Sequence, residues 1–125
     1  MISRNTVQRQ IVLGAVRALP THPTAEEIYS YIAKIHPTIS KGTVYRNLNL
    51  LAEQGEVLRV RIPDGADRFD FRFDRHYHIR CTRCGRVFDV DMPYREDFLQ
   101  EVKNTHGFIF DGYDIAFTGI CPGCQ

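Results

Sequence analysis

The sequence predicts a mixed α/β (α+β) chain in two parts, with helices leading and a small sheet-bearing unit following. Three observations predict it. Apolar residues recur at helical spacing up to Leu51, alternation with period two takes over after Gly55, and all four cysteines fall after residue 80. With 125 residues the chain suits one medium domain or two small ones rather than a large enzyme core. Parts of 1–73 and 74–125 are expected, and units below about 70 residues commonly lean on a metal or on oligomerisation. The net charge of +1 hides an uneven split. Residues 1–63 carry eight Lys or Arg against four Asp or Glu, and residues 64–125 carry eight against eleven. A basic front half suits a polyanionic partner.

The first helix is expected over residues 5–19, where Val7, Ile11, Val12, Ala15 and Leu19 share helical spacing and Pro20 stops the run. Thr24 and Glu27 form a capping box for a second helix, whose stripe of Ile28, Ile32 and Ile35 ends before Pro37. Ser40 caps a third. There Ile39 and Val44 sit at the ends of a hydrophobic staple, Leu48 and Leu51 continue the buried face, and Gly55 closes the helix in a left-handed turn. These signals alone describe a three-helix mini-domain. The short link HPTIS and the polar residues of the third helix point further. Lys41, Thr43, Tyr45, Arg46 and Asn47 crowd its first two turns, where a recognition helix meets the major groove of DNA. Tyr and Thr offer apolar contact to thymine methyls, and Arg and Asn pair with base edges or phosphate.

The stretch EVLRVRIPDGADRFDFRF then predicts a hairpin turning at Pro63, Asp64 and Gly65. Phe69, Phe71 and Phe73 take one face of its second strand, and Arg68, Asp70 and Arg72 the other. A hairpin behind a recognition helix is the wing of a winged helix-turn-helix. Arg59 and Arg61 become phosphate contacts, or else an ordinary solvated strand face. In the rear part, a strand from Tyr77, a cysteine turn and a strand from Arg86 to Asp91 are expected. A helix opening at Pro93 is expected to bury Phe98, Leu99 and Val102 and to end at His106 and Gly107, with one or two strands of FIFDGYDIAFTGI around Asp111 and Gly112.

Two C-x2-C pairs, Cys81 with Cys84 and Cys121 with Cys124, have thirty-six residues between them. Two thiolates from each tight turn complete a tetrahedral S4 site, which favours Zn(II) and has no open position, so it serves structure. Redox-active dithiols are the rival reading. His76 and His78 share one face of a strand. Asp70 stands six residues earlier, Asp89 lies on the neighbouring strand, and His22 precedes the second helix. Three imidazoles and two carboxylates would suit Fe(II) or Mn(II), and would also accept Zn(II), Co(II) or Ni(II). The blander reading leaves His22 an exposed loop residue and Asp89 a strand-edge charge. No stretch approaches about 18 apolar residues and no secretory leader is evident, so a soluble cytoplasmic protein without a membrane partner is expected. In a reducing compartment the thiols favour metal over disulfides.

Taken together, HPTAEEIY, TVYRNLNLL with the following EQG, RFDF, HYHIRCTRCGRVFD and CPGC resemble the ferric uptake regulator (Fur) family of metal-dependent bacterial repressors, over nearly the entire chain. The sequence is most similar to the family's peroxide-responsive regulators, which usually carry aspartate where Asp89 stands. The resemblance implies an N-terminal winged helix, a C-terminal dimerisation domain, and a homodimer on a palindromic operator when the regulatory metal is bound. It implies structural zinc on Cys81, Cys84, Cys121 and Cys124 and a regulatory ion on His22, Asp70, His76, His78 and Asp89. It further implies peroxide sensing through Fe(II)-catalysed oxidation of His22 or His76. Arg75 and Tyr77 flank the histidines where an additional family site would need His or acid, so a third site is not expected. Within the family, an iron, zinc or manganese homeostasis repressor is the alternative. From another class, a metalloenzyme or a thiol oxidoreductase would leave the basic helix and wing unexplained, so no enzyme is expected.

Overall fold

The computed structural model describes residues 4–63, 65–72 and 74–125; Asp64 of the expected turn and Phe73 of the expected apolar face lie outside these. Helices α1 (Arg4–Ala18), α2 (Ala25–Ile35) and α3 (Lys41–Glu53) come first. Strands β1 (Leu58–Val60) and β2 (Arg68–Asp70) follow as an antiparallel pair. The helix starts follow from the caps. Thr24 Oγ1 accepts the N–H of Glu27 at 3.2 Å, and Ser40 Oγ accepts that of Thr43 at 3.1 Å, each satisfying a donor that the first turn leaves unpaired. Gly55 ends the α3 region at φ 74°, a conformation that a side chain would strain.

One apolar cluster, Val12, Ala15, Val16, Ile28, Ile32, Val44, Leu48, Leu51, Val57 and Phe69, packs the three helices against the hairpin. Three apolar expectations fail at its margins. Val7 and Ile35 are exposed, because the buried stripe of α1 runs through Val16 and that of α2 stops at Ile32. Phe71 is 45 % exposed, since β2 ends at Asp70 and the alternation ends with it.

Strands β3 (Tyr77–Cys81), β4 (Val87–Val90) and β5 (Ala116–Gly119) form a second sheet in the order β4-β3-β5. β4 pairs antiparallel to β3 through the cysteine turn, and β5 returns parallel to β3. The helix expected from Pro93 is absent. A single 3-10 turn, Phe98–Glu101, stands in its place, with no buried residue and with Val102 exposed. Tyrosines take up the packing instead. Tyr77 stacks on Tyr94 at 5.0 Å, Tyr94 on Tyr113 at 5.9 Å, and Phe98 tilts against Tyr113 at 5.3 Å. Tyr77 Oη also accepts the Arg95 N–H at 3.1 Å. His106 and Gly107 turn the chain with positive φ. Of the stretch read as one or two strands, only β5 forms one, and neither a turn nor a strand forms at Asp111 and Gly112. Among the described residues no helix is long and apolar enough to cross a membrane.

Candidate metal centres

β3 delivers Cys81 at its last position, and the turn to β4 returns Cys84 toward it. Gly85, at φ 78°, donates its N–H to the Cys81 carbonyl at 2.9 Å. After β5 the closing 3-10 turn, Pro122–Cys124, folds Cys121 and Cys124 over the same point. The four Sγ atoms lie within 4.8 Å of one another, with Cys84 and Cys121 at 3.8 Å. A tetrahedron with Zn–S bonds of about 2.3 Å has edges of about 3.8 Å, so the set fits zinc. The N–H groups of Cys121 and Cys84 point at Cys81 Sγ, both at 3.4 Å, and draw its thiol down to about 5. In the opposite direction, hydrogen bonding to Cys121 and Cys84 pushes the Cys124 thiol up to about 12. All four cysteines are free of disulfides, and both C-x2-C pairs share one centre rather than forming separate dithiols.

The second centre is assembled from both parts of the chain. His22 precedes α2 with φ 58°, in the left-handed region. It is placed there by β2: the Phe69 N–H donates to the Pro23 carbonyl and Arg68 Nη1 to the His22 carbonyl, both at 2.9 Å. That pairing brings His22 beside Asp70, the last residue of β2. From the other sheet, His78 is the direct cross-strand partner of Asp89, and His76 precedes β3 on the same face.

The five side chains converge, their donor atoms lying within 4.8 Å of one another. Asp70 Oδ2 lies 3.1, 3.0 and 3.3 Å from the Nε2 atoms of His22, His76 and His78. Asp89 Oδ1 lies 2.8, 2.9 and 3.3 Å from the same three. Coordination bonds of about 2.1 Å put neighbouring donors about 3.0 Å apart, so the set has the dimensions of a coordination shell. Each nitrogen is thus at a neighbouring distance from both oxygens. The Nδ1–H of His76 donates to the Asp74 carbonyl at 2.7 Å, so its Nε2 lone pair faces inward. Burial opposes charge on Asp70, but bonds from His22, His78 and the Arg72 N–H outweigh it and hold the carboxyl far below the usual range. Burial likewise opposes charge on His22, and its bonds to Asp70 and Asp89 outweigh that and raise the imidazole.

The profile of the ferric uptake regulator family matches residues 2–118. The chain belongs to that family. Among curated members, the peroxide-responsive repressor PerR of Staphylococcus saprophyticus is 35 % identical over 122 residues, covering 98 % of this chain and 82 % of that one. Among solved structures, the Campylobacter jejuni peroxide stress regulator superposes with a TM-score of 0.71 at 28 % identity, covering 97 % of this chain and 91 % of the other. The Helicobacter pylori ferric uptake regulator, described as having three functional metal binding sites, gives 0.74 at 26 %, covering 95 % and 80 %. This Fur-family chain is a metal-dependent regulator, and its fold is the mixed helix-and-sheet fold of those structures.

Of the residues expected to face DNA, Lys41, Tyr45 and Arg46 are exposed on α3 and Thr43 is half-buried. Asn47 departs from the expectation: it is only 8 % exposed, and its amide donates to the Thr43 carbonyl at 2.9 Å. On β1 Arg59 is half-buried, bonded to Asn49 and at 3.3 Å to Asp67, while Arg61 is exposed. Several partners escaped the sequence reading. Glu26 Oε2 lies 2.8 Å from Lys41 Nζ and accepts Tyr45 Oη–H at 3.1 Å. Arg86 donates to Cys84 Sγ at 3.5 Å and Cys121 Sγ at 3.7 Å. Arg72 and Asp74 stand behind the His/Asp cluster. Only the period-two alternation, which puts Arg72 on the face of Asp70, hinted at any of these.

Proposed function

We propose that this chain is a cytoplasmic transcriptional repressor that senses hydrogen peroxide, with residues 1–73 reading DNA and residues 74–125 joining two chains. Cys81, Cys84, Cys121 and Cys124 hold structural Zn(II). His22, Asp70, His76, His78 and Asp89 hold the regulatory ion, Fe(II) or Mn(II), a mixed N/O set suited to those metals. The single observation that carries the reading is that His22 and Asp70, from the helical part and its hairpin, meet His76, His78 and Asp89 from the second sheet. An ion that binds this closed arrangement better than an open one shifts the population toward closed. In a homodimer, closure sets the spacing of two α3 helices on a palindromic operator, where successive major grooves recur about every 34 Å. Lys41, Thr43, Tyr45, Arg46 and Asn47 supply groove contacts and Arg59 and Arg61 phosphate contacts, with Asn47 acting through the first turns of α3 rather than from an exposed position.

The similarity to proteins named for peroxide response supports peroxide as the signal. Bound Fe(II) supplies the chemistry that activates hydrogen peroxide. The net change at His22 or His76 is one oxygen atom added to a ring carbon, with water released. An oxidised imidazole binds metal poorly, so the two parts separate. The likeness to the Helicobacter pylori regulator supports a second reading, iron homeostasis through the same site. Anaerobic loading with Fe(II), brief exposure to peroxide and peptide mass analysis separate the two. One added oxygen at His22 or His76, absent from the Mn(II) protein, is the expected result. Unmodified histidines with retained DNA binding overturn peroxide sensing.

A further inference from the structure

Each aspartate of the His/Asp cluster turns one oxygen toward the imidazoles, and in both the other oxygen is already engaged. Asp70 Oδ1 accepts the backbone N–H of Arg72 at 3.0 Å. Asp89 Oδ2 accepts from Arg72 Nη1 at 3.4 Å. The guanidinium is itself gripped from behind, its Nε and Nη2 donating to the two oxygens of Asp74 at 3.1 and 2.7 Å. Such a fork is the strong, oriented form of an Arg–carboxylate pair. Asp74 then turns back on the cluster, because its carbonyl accepts His76 Nδ1–H at 2.7 Å. Arg72 and Asp74, which follow β2, therefore reach Asp70, Asp89 and His76.

We propose that Arg72 is a positioning residue that holds Asp89 to one-oxygen binding, so that the cluster offers an ion five protein donors and leaves one position for an exogenous ligand. The proposal rests on the reading of this cluster as the regulatory site. A carboxylate binds a cation through one oxygen or chelates it through both, and a competing donor at the second oxygen decides between the two. At Asp89 the competitor is the guanidinium. Because Asp74 fixes it in place, it does not follow the carboxylate if that group rotates toward the ion. At Asp70 the competitor is a backbone N–H, which side-chain substitution at residue 72 leaves in position. Asp89, part-exposed at the rim, is thus where the side chain of Arg72 decides the coordination number.

Arg72→Met keeps the aliphatic stem and removes the guanidinium at an exposed position outside the core. Full-length wild-type and variant proteins, with cysteine-bound zinc in place, are each loaded with one Mn(II) per chain. Water-proton relaxivity and the Mn(II) EPR spectrum are then recorded. Wild type is expected to show an exchangeable water on Mn(II). Arg72→Met is expected to lose that contribution while its melting temperature and zinc content hold, and Arg72→Lys, unable to bridge both aspartates, to fall between. Equal relaxivity in wild type and Arg72→Met, or a wild type with no exchangeable water, overturns the role of Arg72. Failure of wild type to bind Mn(II) beyond its zinc instead overturns the reading of the cluster as the regulatory site.

Discussion

His78 belongs to the His/Asp cluster, buried, with its Nε2 3.3 Å from both carboxylates of the cluster and Asp89 as its strand partner. Removing that imidazole leaves the cysteine cluster untouched. His78→Ala is therefore expected to keep one zinc per chain and its fold while losing Mn(II)-dependent DNA binding, read by metal analysis and a mobility-shift assay. Glu26 makes a second test at this scale. It holds Lys41 and Tyr45 of α3 by a carboxylate that an approaching phosphate must displace or tolerate. Glu26→Gln is expected to tighten DNA binding and to steepen its salt dependence by about one counterion, since one more free cation then faces the backbone. Residues of this scale were legible only where their type announces their chemistry. Histidine and cysteine at ligand spacing stand out in a sequence, whereas Arg72, Asp74 and Glu26 look like any solvated charge until their partners are known.

At the scale of elements, caps and the staple set the helices before any tertiary contact. Ser40 and Thr24 cap in space as they read in sequence, and Leu48 and Leu51 carry the buried face of α3. Leu48→Ala opens a cavity in that cluster and is expected to cost about 2–5 kcal/mol of stability, measured by denaturant unfolding. The second sheet depends on its cysteines. β5 is tied to the cysteine turn by the Thr82 N–H on the Gly119 carbonyl at 2.8 Å, and the closing turn by the Cys124 N–H on the Cys121 carbonyl at 2.9 Å. Stripping the structural metal with a strong chelator is expected to abolish hydrogen-exchange protection at Thr82 and Cys124 while amides of α2 and α3 stay protected. The missing helix after Pro93 has a physical cause. Phe98, Leu99 and Val102 mark an apolar face, but it is only partly covered, with Phe98 and Leu99 half-buried and Val102 exposed, and tyrosine stacking holds the segment as an irregular strap.

For the whole molecule, the largest apolar exposures lie in the rear part. Phe108 is 72 % and Ile109 96 % exposed, with Phe117 and Ile120 also exposed nearby in the chain. So much apolar surface on a small unit suits a partner, which the proposed homodimer supplies. Ile109→Asp is expected to shift the protein toward monomer in analytical ultracentrifugation while its zinc content stays constant. Read without any structure, the order of residues already determined the boundaries of the first three helices to within a residue or two, the face of α3 that is buried, and which side chains are of a type to ligate metal. Those properties are local: caps, periodicity and donor chemistry act within a few residues of one another. Only the tertiary structure decided that His22 and Asp70 would stand within bonding distance of His76, His78 and Asp89, that Arg72 would occupy their spare oxygens, and that the Pro93 segment would forgo its helix. Each of those outcomes depends on how segments distant in the chain pack and which surfaces are left to cover them, and such long-range balance leaves no periodic trace in the sequence.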